Sequence, residues 1–191
     1  MSRLNIKKIR KAYLSFCIFL GFFSPAICLY LFPEYDPRIQ PVSYFGILKS
    51  TSSIFTFSLV IFSTAIYWNG ISSVKKIIKN KKYKFWLISI LTFSSICLFL
   101  TGVISMNFGP LHGIPAILFF LSYNFYVFLF GIVRSTSYVR RGLFSVLTGS
   151  LMLLSSLLLI PFPSYGVAEI VYIFLVLFWN TIIWMKKNQY L

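Results

Sequence analysis

Reactive side chains are scarce in this 191-residue chain: one histidine, His112, and three carboxylates, Glu34, Asp36 and Glu169. An imidazole beside a carboxylate is the minimum equipment for general-base chemistry. His112 would be the base, and Glu169 or Asp36 the acid that orients it. His112 stands in the run Asn107-Phe108-Gly109-Pro110-Leu111-His112-Gly113-Ile114-Pro115. Pro115 suits the first position of a helix, where a missing N–H is harmless, so His112 is expected just before a helix start. A histidine there can accept a proton or a hydrogen bond, or simply cap the loop through its own backbone.

The chemistry that is missing is equally informative. A single histidine cannot supply a bis-His haem, a multi-His zinc site or a copper cluster. Neither G-x-x-x-x-G-K-[ST] nor G-x-G-x-x-G occurs, so the phosphate cradles of nucleotide hydrolysis and dinucleotide binding are absent. The arginines show no voltage-sensor periodicity. Cys17, Cys28 and Cys97 lie inside apolar stretches without metal spacing, and read as small packing residues. No metal and no cofactor is expected.

The elements that must position these groups follow from composition. The chain is 58% hydrophobic and 11% charged with 22 Phe, and its mean hydropathy is +0.84. A soluble fold of this size would be coated in aromatic surface, which excludes a water-soluble enzyme, a nucleic-acid domain and a disordered chain. Crossing a bilayer takes roughly 20 apolar residues. Segments near 12–32, 44–68, 85–106, 114–133, 143–160 and 167–185 qualify. The expectation is an all-α, polytopic bundle of six transmembrane helices forming one domain over residues 1–191.

Cations set the direction. Arg3, Lys7, Lys8, Arg10 and Lys11 precede the first span, and Lys75, Lys76, Lys79, Lys81, Lys82 and Lys84 fill the second connection. Arg134, Arg140 and Arg141 fill the fourth, and Lys186 and Lys187 follow the sixth span. Sixteen cations thus gather at one end, leaving Arg38, Lys49 and all three acids for the other. The positive-inside rule gives N-in and C-in, in the plasma membrane, with inner basic loops against anionic headgroups rather than nucleic acid. The first apolar run is too long for a signal peptide and lacks a small-residue cleavage site, so it reads as an anchor.

Three connections carry the polar residues of the outer end: Pro33 to Pro41, Asn107 to Pro115 and Pro161 to Gly166, with Glu169 just inside the sixth span. Their prolines and glycines stop the helices and stiffen the turns. Asn180 lies eleven residues after Glu169 and returns to nearly the same helical face, with Tyr172 and Val176 between. On the second span Lys49, Ser53, Thr56 and Thr64 share a side, which makes Lys49 a candidate ion-pair partner for Glu169. Lys49, Asn107, Tyr165 and Asn180 are the binding candidates.

These features resemble those of domain-of-unknown-function family 998, small six-helix membrane proteins related to the broader DRAM/Frag-like superfamily. The carrying residues are Ser43-Tyr44-Phe45-Gly46, then Gly109-x-x-His112-x-x-x-Ala116-x-x-x-Phe120, and Glu169 with Trp179 ten residues later. The resemblance implies the six-helix fold and no reaction for His112 or Glu169; relatives in the superfamily are tied to lipid-anchor remodelling. Three functions stay open: a non-catalytic membrane subunit whose polar outer face docks a protein partner, a lipid-handling protein or enzyme at the outer leaflet, and a solute or ion transporter.

Overall fold

The computed structural model describes residues 3–162 and 164–188. Pro163 and the side chains of the terminal cations Arg3, Lys7, Lys8, Arg10, Lys11, Lys186 and Lys187 lie outside the described residues. Six α-helices follow one another among the described residues: α1 (Arg3–Leu31), α2 (Ser52–Ile77), α3 (Lys81–Val103), α4 (Pro110–Ser135), α5 (Val139–Leu154) and α6 (Gly166–Asn188). A 3-10 turn over Ser155–Leu159 continues α5, so that all six segments are long and apolar enough to cross a membrane. The protein is an all-helical, multi-pass membrane protein.

Each helix packs on the next in sequence, and α6 returns to touch α1 and α2. The seam between α4 and α5 is glycine-lined. A Cβ at Gly131 would stand 2.6 Å from the Val146 nitrogen, and one at Gly142 would run into Ser135 and stand 2.6 Å from the Gly131 carbonyl. Only hydrogen side chains allow the two backbones so close. Trp179 of α6 anchors the core, 1% exposed, with its ring edge-to-face against Tyr123, Tyr126 and Phe130 at 6.3, 5.9 and 5.7 Å. Its indole N–H donates to Ser145 Oγ at 3.0 Å. Large apolar side chains such as Phe57, Phe93, Phe125 and Phe174 face outward, as a lipid solvent permits. Several hydroxyls within the helices bond back to the preceding turn, Ser58 to the Ile54 carbonyl and Thr148 to that of Phe144, so these need no water.

Several boundaries differ from the sequence reading, most of all in the second span. The second span begins at Ser52, not near residue 44. Val42–Gly46 instead forms a separate 3-10 turn whose Val42 and Phe45 are buried. Thr51 Oγ1 donates to the Phe45 carbonyl at 2.7 Å and closes this turn onto the start of α2. An apolar run reads as membrane whether it crosses or folds under its own cap, hence the shift. Lys75 and Lys76 consequently end α2, where its dipole favours cations, rather than standing in a loop. The fourth span starts at Pro110, which takes the first helical position expected for Pro115, and His112 lies inside the first turn.

Candidate functional site

The connections α1–α2, α3–α4 and α5–α6 meet at one end of the bundle. Ser43 Oγ donates to Met106 Sδ at 3.5 Å, which joins the first two. Gly166, opening α6, lies under the first: a Cβ there would strike the carbonyls of Gln40 and Pro37. That close approach delivers Glu169, in the first turn of α6, to the start of the Val42–Gly46 turn. Its Oε2 accepts the Val42 N–H at 2.5 Å, and the Ser43 N–H also points to the carboxylate. Glu169 is thus a clasp between the sixth helix and the first connection.

Tyr35 supports the same connection. Its hydroxyl donates to the Gln40 carbonyl at 3.2 Å, and its ring lies 4.5 Å from that of Phe45. Burial raises its phenol well above the ordinary value, and the nearby charges of Glu169 and Asp36 push the same way. Asp36 faces outward and holds Arg38 bidentately, with contacts of 2.9 Å from Nε and 2.8 Å from Nη2. Hydrogen bonds from Arg38 hold the Asp36 carboxyl below its usual range.

His112 makes a second clasp. Its Nδ1 lies 2.6 Å from the Ile104 carbonyl. A carbonyl only accepts, so Nδ1 carries the proton. The other ring nitrogen is buried without a hydrogen-bond partner. Gly109, at φ +53°, turns the chain sharply between Ile104 and His112 and makes this return possible. No contact joins His112 to Glu169 or Asp36 among the described residues, so the base–acid pair anticipated from sequence is not assembled.

The remaining candidates separate into two groups. Lys49, Asn107 and Tyr165 are exposed at this end, as is Glu34. Lys49 precedes α2 instead of lying within it, and the anticipated Lys49–Glu169 bridge is absent: the one ion pair among the described residues is Arg38–Asp36. Asn180 is buried deep in the bundle, where its Nδ2 donates to Tyr123 Oη at 2.6 Å and to the Val176 carbonyl at 2.8 Å. Asn69 of α2 reaches Asn180 Oδ1 at 3.4 Å. Asn180 does share a stripe with Glu169, but Tyr172 and Val176 fill the interval, with Tyr172 Oη donating to the Phe120 carbonyl at 2.9 Å. Asn69 and Tyr123 were not anticipated; an amide in the middle of an apolar run is the signal that marks Asn69.

Beneath the clasped turn lies an apolar cavity of about 610 Å³, including the part open to the surroundings. It sits between α1, α2 and α6 and is lined by Ser24, Pro25, Val42, Phe45, Ser58 and Tyr172, among others. Among the described residues no three His, Cys, Asp or Glu side chains gather as a metal site would require. Residues 15–185 match the family described as "Protein of unknown function (DUF998)". No curated protein and no solved structure matches the chain.

Proposed function

The chain belongs to the DUF998 family, and from that premise we propose a non-catalytic membrane protein that presents the stiffened acidic end of its bundle to a protein partner. One observation carries this reading: both side chains equipped for chemistry are spent on backbone clasps, Glu169 on Val42 and His112 on Ile104. Groups so engaged hold loops still. Around them Glu34, Lys49, Asn107 and Tyr165 stand exposed beside the Asp36–Arg38 pair, which is a platform of mixed charge and hydrogen-bonding groups suited to a polar protein surface.

The segregation of cations supports placing this platform outside, with both termini inside, in the plasma membrane. The chain then acts as one six-helix domain whose basic end rests against anionic headgroups. The cavity favours a second reading, a lipid-handling protein that takes an apolar chain beneath the Val42–Gly46 turn. The filled stripe between Glu169 and Asn180 offers a solute no path in this conformation.

One experiment separates the two. A photo-cross-linking residue is placed in native membranes at Tyr165 or Asn107 on the platform, at Ser58 in the cavity, or at Phe125 on the outward face. The docking reading expects a discrete protein adduct from Tyr165 and Asn107 alone. Lipid adducts from Ser58 well above those from Phe125, with none to protein from the platform, would replace docking by lipid handling.

A further inference from the structure

At the opposite end of the bundle Arg134 poses an electrostatic problem that no described residue solves. It occupies the last turn of α4, is only 5% exposed, and its Nε is buried without a hydrogen-bond partner. Its guanidinium lies over the Phe130 ring at 5.8 Å. No described residue pairs with it, since the three carboxylates all stand at the far end and the one described ion pair is Arg38–Asp36. The neighbouring charge is of the same sign: Arg141 is near enough to act on Arg134 electrostatically, with its own guanidinium 5.3 Å from the Tyr138 ring. A covered cation without a counter-charge is expensive, and a second cation beside it makes it more so.

The backbone adds donors at the same place. Tyr138 opens α5 without a side-chain cap. The Arg141 and Gly142 N–H groups bond to the Tyr138 carbonyl, and those of Ser137 and Tyr138 to the Arg134 carbonyl. The Val139 and Arg140 N–H groups are left open at the positive end of a 16-residue helix. The glycine seam holds this helix start against Ser135, one residue from Arg134. Only Thr136, Ser137 and Tyr138 separate α4 from α5, so Arg134 and the open amides flank one short turn, and cations beside open helix-start amides are a means by which proteins hold phosphate.

We propose that the α4–α5 turn is a binding site for a phosphate group, held by the Arg134 guanidinium together with the open Val139 and Arg140 amides. Phosphate chemistry is available at this depth from a phospholipid headgroup or from the aqueous phase. The site deepens the headgroup contact proposed above: that contact is diffuse attraction to many lysines, whereas this is one saturable position that depends on Arg134.

The test uses the full chain, delipidated in a maltoside detergent, with arginine Nε labelled by ¹⁵N. Short-chain phosphatidylglycerol and inorganic phosphate are titrated separately. The expected result is a saturable shift of the Arg134 Nε–H signal that Arg134→Gln removes, together with at least about tenfold weaker binding by thermal shift. Lys79→Gln/Lys81→Gln/Lys82→Gln should keep the saturable binding and lose only the diffuse, salt-sensitive part. Response to the lipid alone identifies a headgroup, and response to both identifies the phosphate itself. An Arg134 Nε–H signal that neither probe moves overturns the site even if the Gln variant fails to fold, and so does saturable binding that survives Arg134→Gln. Absence of any diffuse, lysine-dependent binding in the parent chain, while the Arg134 response persists, would sink the general headgroup contact and spare this site.

Discussion

The α4–α5 seam and the flank where α1 meets α2 and α6 are built on opposite principles. In the seam, glycines let backbones touch, and a single added methyl meets peptide atoms that cannot move. On the α1 flank the helices stand apart around a cavity, and an added methyl at Gly21 meets only the flexible end of the Leu177 side chain. Lipid tails are as apolar as leucine, so membrane helices gain little from hydrophobic burial and must associate by close packing or by polar contacts. The seam uses the first. The cavity side relies on the second, with Glu169 fastening the turn that roofs the cavity.

The sharpest way to break this contrast is to place the same methyl on both sides. Gly142→Ala should lower unfolding free energy by about 3 kcal/mol, because the backbones themselves must separate, while Gly21→Ala should lower it by less than about 1 kcal/mol. Denaturant titration in micelles reads both. Equal losses would mean that the seam is no tighter in energy than the loose flank.

A smaller effect is expected from the clasp. Glu169→Leu leaves the Val42 and Ser43 N–H groups bare and should destabilise by about 2 kcal/mol, with Glu169→Gln, which can still accept, losing about half as much. Hydrogen exchange at Val42 should rise in the same order and leave the α4–α5 amides unchanged. Faster exchange across the seam would show that the two regions are not independent.

The smallest effect is at the rim, and it is a matter of pH. Because Arg38 lowers the Asp36 carboxyl in the folded state, their pairing is fully present above the ordinary carboxylate value of about 3.9 and is lost as pH falls through the lowered one. Backbone signals of Asp36 to Gln40 should hold steady from pH 7 to 5 and move only in stronger acid. Arg38→Ala should bring that transition up to the ordinary range. A transition already at the ordinary value in the parent chain would remove the pair from the platform.

Helix number and the gathering of polar loops were legible because both depend on long runs: twenty apolar residues, or six lysines within ten positions. What was not legible depends on single contacts between distant segments. Val42 and Phe45 are as apolar as any membrane residue, and only the Glu169 bond to Val42, 127 positions away, marks them as a roof rather than a span. Pro115 was the proline expected to open α4, but the turn at Gly109 starts the helix at Pro110 instead. Arg134 looked like one more loop cation, and its burial follows from the glycine seam, which composition does not reveal.

The clasp also imposes an order on biosynthesis. Val42 leaves the ribosome 127 residues ahead of Glu169, which at about 5–20 residues per second is an interval of roughly 6 to 25 seconds. Throughout it the first connection has the Val42 and Ser43 amides unanswered and the cavity unroofed. A nascent chain stalled before α6 therefore carries a loop that quality-control proteases can reach, and the arrival of the last helix removes that mark.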